Sequence, residues 1–309
     1  MVRHFSLLFF SLLFFSCKGQ KEEFVRIIVQ PEVEVGNTIN ININFEQKPD
    51  SIIVSEIGID GLEMTYNLDE ISNNISESNT RNEHGEIIKT HYNFENYAIP
   101  TKKGRIDFPI LTVIYKGREY KSKPFYIDVV ENIKINQNDI KIIWVSDKES
   151  YKKNDTIKLN LFEYSRFSQT KIKHVSPEKL PIFQGKSHEI HIGVEETIDN
   201  IVGINDFEKK IEKNFNGLYF NWNTFKNNQI MEEIDDRLYI KTLIAELHLL
   251  AKYEGLLEIG PSKFDITLYK NDRFDLKRRI RNKDGIYVMP KEAEKNIKIQ
   301  SNNLKILVK

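Results

Sequence analysis

From Phe24 onward the spacing of apolar and polar positions has a period of two. Val25, Ile27 and Val29 alternate with other positions, and Thr38 to Phe45 (TINININF) alternates strictly. Its Ile39, Ile41, Ile43 and Phe45 fall on one face, and Asn40, Asn42 and Asn44 on the other. Because successive strand side chains point to opposite faces, that segment predicts a half-buried strand. Further strands are expected at Ser51 to Glu56, Lys89 to Phe94, Gly104 to Tyr115 and Lys123 to Val130, with breaks at Gly36-Asn37, Lys48-Pro49-Asp50, Gly58 to Gly61 and Ile99-Pro100. The polar stretch Asn73 to Gly85 reads as a loop or a hairpin tip. Short alternating strands at such intervals imply an all-β chain of antiparallel sandwiches and not βαβ units.

The pattern occurs twice. Val35-Gly36-Asn37-Thr38 leads into Ile39, as Lys153-Asn154-Asp155-Thr156 leads into Ile157. Gly104 to Pro109, a strand, a hairpin at Lys116-Gly117-Arg118 and Phe125 to Val130 close the first half. Gly255 to Pro261, Phe264 to Tyr269 and Leu304 to Val308 close the second. The expected organisation is two tandem Ig-like antiparallel β-sandwich domains, residues 24–131 and 139–309, joined near Glu131 to Asp139. The second carries an insertion near 193–228, with an amphipathic stretch from Asp206 to Phe215 in which Phe207 and Ile211 lie four apart. Leu238 to Tyr253 has helix propensity, but it holds the place of Lys89 to Pro100 and is expected to be one long strand. Arg273 to Glu294 is strongly charged and reads as a hairpin or a mobile loop.

The N-terminus departs from this pattern. Arg3 and His4 precede the apolar stretch Phe5 to Phe15, then Ser16-Cys17. That stretch is the length of a signal-peptide core and falls short of the ~20 residues of a membrane-spanning helix. Residues 1–16 are therefore expected to be an export signal. Phe14-Phe15-Ser16-Cys17 resembles a bacterial lipobox, which implies lipidation of Cys17; Phe14 and Phe15 depart from its usual Leu and small residue. Cys17 is the chain's single cysteine, so no internal disulfide competes for it. Residues 17–23 would then be anchor and polar tether, with the membrane and leaflet left open. No later apolar run reaches 18 residues.

Composition narrows the function classes. The 309 residues carry 45 Lys+Arg and 45 Asp+Glu, a formal net charge of zero, which argues against nucleic acid as a partner. With 40% hydrophobic and 11% aromatic residues, the chain can fill packed cores.

Candidate chemistry is sparse. His188-Glu189-Ile190-His191 sets two histidines three apart, whereas a helical zinc motif needs four; on a strand they face opposite ways, so no metal site is expected. Glu195-Glu196, Glu232-Glu233 and Asp235-Asp236 read as solvated acidic pairs, not a glycosidase dyad. No nucleophile elbow or phosphate loop occurs. No catalytic residue and no cofactor are expected, and the chain reads as a binding protein. The candidate interaction surface is Tyr219, Phe220, Trp222 and Phe225, since aromatic side chains dominate protein interfaces and stack on sugars. On a strand, Phe220 and Trp222 share a face, and core packing is the competing reading.

The order of motifs then suggests a family. An exported start, a strand after the Val-Gly-Asn turn, Tyr97-Ala98-Ile99-Pro100 with Gly104 four residues on, Ile106 to Pro109, and Gly117 to Pro124 leading into Phe125 to Val130 resemble the BatD family of the Bacteroides aerotolerance operons. Asp139 to Phe162 is similar to the opening of that family's second domain, and Arg237 to Pro261 to its recurring strand, Gly turn and Pro corner. The resemblance implies a cell-envelope interaction module. Its partners would be membrane proteins with von Willebrand A domains and tetratricopeptide-repeat proteins of the same operon. Members commonly carry a C-terminal transmembrane helix; here Cys17 is expected to anchor the chain instead. A surface glycan-binding lipoprotein, with Trp222 or Trp144 as sugar platform, is the alternative.

Overall fold

The computed structural model describes residues 23–81, 84–172, 183–184, 190–191, 207–223, 228–270, 280–281, 283, 287–288 and 294–309. The first half contributes β1 (Val25–Val29), β2 (Glu32–Glu34), β3 (Ile39–Phe45), β4 (Ser51–Ile53), β5 (Leu62–Met64), β6 (Ser76–Arg81), β7 (Ile87–Pro100), β8 (Gly104–Phe108), β9 (Thr112–Tyr115), β10 (Arg118–Lys121) and β11 (Phe125–Val130). The second contributes β12 (Ile140–Ser146), β13 (Ser150–Tyr151), β14 (Ile157–Ser165), β15 (Gln169–Ile172), β16 (Phe183–Gln184), β17 (Ile190–His191), helix α1 (Phe207–Asn214), β18 (Phe215–Trp222), β19 (Ile230–Ile234), β20 (Arg237–Ala251), β21 (Gly255–Ile259), β22 (Lys263–Tyr269), β23 (Ile280–Arg281), β24 (Tyr287–Val288), β25 (Glu294–Gln300) and β26 (Leu304–Val308).

Alternation places the core. Ile39, Ile41, Ile43 and Phe45 of β3 are 6%, 3%, 1% and 3% exposed, while the intervening asparagines stay accessible. The sheet β1-β3-β7-β5, with β6 also on β7, packs Ile27, Ile43 and Phe94 against Ile106, Val113 and Ile127 from the sheets β2-β11-β8 and β10-β9-β4. The chain is therefore a sandwich over this span.

The second half repeats the wiring. β12-β14-β20-β18, with β19 also on β20, parallels the larger sheet, while β13-β26-β21 and β15-β22-β25 parallel the smaller two. Both halves contain the same unusual pairing: β2 runs parallel to β11, and β13 parallel to β26, among otherwise antiparallel neighbours. Register agrees as well. Ile39 faces Ala98 as Ile157 faces Leu249, and Gly104 faces Val129 as Gly255 faces Val308. A second core of Trp144, Leu161, Ile244, Leu247, Phe264, Ile306 and others fills this sandwich.

Several elements differ from the pattern-based expectation. Gly104 to Tyr115 is not one strand: Pro109-Ile110-Leu111 separates β8 from β9, which belong to different sheets. Proline lacks the ladder N–H, so the break falls where the chain changes sheet. Pro100, expected as a break, instead ends β7; β3 stops pairing at Ala98, so no β3 bond is lost. Part of the polar stretch Asn73 to Gly85 is strand β6, paired with β7 outside the core and therefore free to be polar on both faces. β20 is the long strand expected, and helix α1 forms within Asp206 to Phe215 with Ile211 buried. At Lys116-Gly117 both φ angles are positive, 50° and 71°, as a two-residue hairpin turn needs. Half of the expected insertion near 193–228, and most of Arg273 to Glu294, lies outside the described residues.

Candidate interaction site

The two sandwiches meet through a polar seam built on alternate residues. Between β1 and β2 the chain changes sheet, and Gln30, Glu32 and Glu34 fall on one side of that extended segment. Gln30 is 6% exposed; its Nε2 donates to the Glu32 and Lys270 carbonyls at 2.8 and 3.1 Å, and its Oε1 accepts from the Ser168 amide and hydroxyl. Arg166 donates to Glu32 at 2.7 Å and to the Leu238 carbonyl at 3.3 Å. Glu34 accepts from the Ile133 amide at 2.9 Å and from Asn37 at 2.7 Å. Arg237 pairs with Asp139 at 2.6 Å at the start of the second sandwich. Gln30 and Glu32 of the first sandwich thus bond Ser168, Lys270 and Arg166 of the second, which favours one orientation of the two bodies.

Beside the seam the β19–β20 hairpin reaches back along β1. It encloses a cleft of about 260 Å³, with Val25, Ile27 and Phe125 on one wall and Ile230, Met231 and Leu238 on the other. Arg26, Lys123, Glu232 and Glu233 also line it, with Lys123 paired to Glu23 of its own sandwich. The hairpin base is held by Lys241, whose ammonium bonds Glu232 at 2.9 Å and lies 4.6 Å from the Phe162 ring centre. Burial lowers the Lys241 pKa, but its hydrogen bonds to Glu232 and Tyr164 outweigh that and the net shift is upward. Burial pushes the Tyr164 phenol upward too. These groups are tied to each other as a structural cluster.

The aromatic run lies on β18. In the larger sheet of the second sandwich, β18 pairs with β20 and with no other described strand. A register shift between Gly217 and Tyr219 interrupts its alternation and turns Leu218 and Tyr219 outward, 53% and 47% exposed. The Tyr219 ring sits 4.8 Å from that of His248. Phe220 is partly buried against the second core, so core packing is its role. Trp222 faces Ala245 across the ladder, and Phe225 lies outside the described residues. Leu218 belongs beside Tyr219 as a candidate; it stood in the same stretch, but its exposure depends on the bulge.

Other expected sites are placed as follows. Trp144 is 1% exposed and its indole N–H donates to Ser262, so it cannot serve as a sugar platform; it lies on the apolar face of β12 with Ile140 and Ile142. Asn302 bonds both the amide and the carbonyl of Trp144, at 2.7 and 2.9 Å, closing part of the β12 edge. Asp235 and Asp236 form the β19–β20 turn with φ of 53° and 58°, and Asp235 pairs with Lys141. His191 lies in β17, whereas Cys17, His188 and Glu195-Glu196 lie outside the described residues. Among the described residues no group of three His, Cys, Asp or Glu converges to hold a metal, and no helix is long and apolar enough to cross a membrane.

Residues 28–129, nearly the whole first sandwich, match the family model described as the BatD DUF11-like domain. The chain is BatD-like. The domain it shares is that of a cell-envelope family of the aerotolerance-operon type. No curated protein matches the BatD-like chain. Among solved structures, the C-terminal domain of the Streptococcus pyogenes antigen I/II-family protein AspA aligns over 92% of this chain and 98% of its own, at 10% identity and a TM-score of 0.20. The Yersinia pseudotuberculosis adhesin InvE aligns over 90% and 58%, at 11% identity and 0.16. The mouse nectin-like molecule 4 ectodomain aligns over 93% and 64%, at 9% and 0.19. At such scores these likenesses carry no functional weight.

Proposed function

We propose that this BatD-like chain is a lipid-anchored interaction module of the cell envelope, held through Cys17, with residues 24–131 and 139–309 as its two folding units. The observation that carries the reading is the pair Leu218 and Tyr219, two neighbouring large apolar side chains turned outward by the β18 bulge on a frame whose two bodies are locked together. A rigid scaffold carrying an exposed aromatic and aliphatic pair suits a protein partner, because such a contact costs little ordering on binding. The partners proposed are the von Willebrand A and tetratricopeptide-repeat proteins that the family resemblance implies.

Affinity purification of the full chain from gently crosslinked native envelopes, with a Cys17→Ala control, tests this. Recovery of those proteins with the lipidated chain, and their loss in the control, is the expected result. Recovery of polysaccharide or outer-membrane transport components in their place would overturn it in favour of glycan binding.

A further inference from the structure

The cleft between β1 and the β19–β20 hairpin is lined by unbroken runs of residues. Val25, Arg26 and Ile27 are consecutive on β1, and Ile230 to Glu233 are consecutive on β19. Successive strand side chains point to opposite faces, so a cleft that touches every residue in a row meets the edge of each strand and not one face. Val25 and Ile27 hold their side chains in the first core, 1% and 7% exposed, which leaves their backbone to line the cleft. Phe125 lies on β11, in a sheet other than that of β1. The cleft therefore opens at the side of the first sandwich, along the free edge of its larger sheet.

The phase of the ladder decides which groups that edge presents. β1 ends its sheet, pairing with β3 and with no other described strand. The Glu46 amide donates to the Phe24 carbonyl at 2.9 Å, and these two residues stand opposite each other, one step beyond Val25 and Phe45. Hydrogen-bonded and non-hydrogen-bonded pairs alternate along an antiparallel ladder. Phe24, Arg26 and Ile28 thus turn their backbone groups to β3, while Val25 and Ile27 turn theirs outward. Among the described residues no backbone bond joins β1 to β19. The amides and carbonyls of Val25 and Ile27 are therefore open to pairing with an added strand.

Charge selects the kind of strand. Lys123 pairs with Glu23, and Glu232 with Lys241 at 2.9 Å, while Glu233 is exposed to water. Arg26 is left. Its Nε is buried and finds no hydrogen-bond partner among the described residues, a cost that a carboxylate on a ligand would remove. On an added strand, the residue opposite Arg26 shares its face. The residues before and after it turn the other way, to the side of Val25, Ile27 and Phe125. An acidic residue between two apolar ones fits all three positions. The volume of about 260 Å³ lies below the roughly 300–1,000 Å³ of small-molecule pockets, which favours a short stretch of extended chain over an enclosed ligand.

We infer that the edge of β1 from Val25 to Ile27 is a strand-addition site for an extended segment of a partner protein, with an acidic residue held by Arg26 and an apolar residue on either side of it. This site is separate from Leu218 and Tyr219 and needs no lipid anchor.

The test pans a phage library of random seven-residue peptides against the full mature chain made without lipid. The expected result is enrichment of an acidic residue between two apolar ones, replaced by enrichment of Lys or Arg at the middle position when the target is Arg26→Glu. The most enriched peptide, labelled with fluorescein, should bind Arg26→Ala at least about tenfold more weakly, as loss of one partner of a desolvated ion pair gives. Circular dichroism melts confirm that both variants fold. Hydrogen exchange read by nuclear magnetic resonance should slow at the Val25 and Ile27 amides at least about tenfold when that peptide is bound. No enriched sequence, a selection that Arg26→Glu leaves unchanged, or unchanged exchange at Val25 and Ile27 each overturns the inference. So does binding that appears only after residues 18–22 are removed, which would make the chain's own tether the occupant. The β18 surface is read separately by crosslinking at position 219 in native envelopes, so failure of one site and failure of the other are told apart.

Discussion

Arg166 of the second sandwich donates to the Glu32 carboxylate of the first at 2.7 Å, and its side chain is only 7% exposed. The same guanidinium bonds the Leu238 carbonyl, close to the turn of the hairpin that lies along β1. One side chain thus ties the sheet-crossing segment of the first body to the hairpin of the second. Replacing it by alanine leaves Glu32 and a carbonyl without their donor. Arg166→Ala should destabilise the chain by about 1.5–3 kcal/mol, the range for a hydrogen bond to a charged group. Denaturant melts give the magnitude, and small-angle scattering should show a wider spread of interdomain angles. An unchanged melt and an unchanged scattering profile would mean that the seam is held by other contacts.

Gly104 and Gly255 open equivalent strands with φ of 110° and 126°, and a Cβ built on either meets no atom within 4 Å. The only penalty for a side chain there is backbone strain. Gly104→Ala and Gly255→Ala should each cost about 1–3 kcal/mol. Gly58→Ala, also with open space but outside the left-handed region, should change stability by less than about 0.5 kcal/mol. Thermal melts of the three variants check this. Equal, small effects at all three would remove the equivalence of the two glycines.

Tyr151 is buried, and its hydroxyl bonds Asp147 and Ser146. Burial first, and then the Asp147 hydrogen bond, pushes its phenol from 10.0 up to about 12. Folded Tyr151 therefore keeps a proton that the unfolded chain releases near pH 10. Its contribution to stability is complete below pH 10 and is lost as pH rises from 10 to about 12. A tyrosinate absorbance titration should show late-titrating phenols, Tyr151 and Tyr164 among them, and Tyr151→Phe should reduce the late amplitude by one tyrosine. Loss of absorbance at the ordinary tyrosine pH in that variant would contradict the assignment.

How far the sequence spoke differs by element. β3 was legible because four apolar and three asparagine positions alternate without a slip, and β20 because the repeat outweighed its helix propensity. The expectation of Trp144 as a sugar platform failed because it left alternation out of account: Trp144 shares the apolar face of β12 with Ile140 and Ile142 and is buried. Pattern failed where tertiary context decides. Pro109 separates two sheets that share one apolar run, and β6 is polar because it pairs beyond the core. The bulge at Gly217 to Tyr219 shifts the register of β18, so alternation alone could not tell that Tyr219 and Leu218 face out while Phe220 packs inward. The seam left no trace at all. Arg166 and Glu32 are 134 residues apart, and isolated polar residues carry no periodic signal.

The most direct test of the interaction role places a photo-crosslinking benzoylphenylalanine at Tyr219 in the full chain, in native envelopes. The prediction is a discrete protein adduct at 219, reduced about tenfold or more by Leu218→Asp, as loss of an interface anchor would give. A control crosslinker at Leu256, 60% exposed on the other sheet, should give none. No adduct at 219 above that control, or an adduct to polysaccharide alone, would contradict the account.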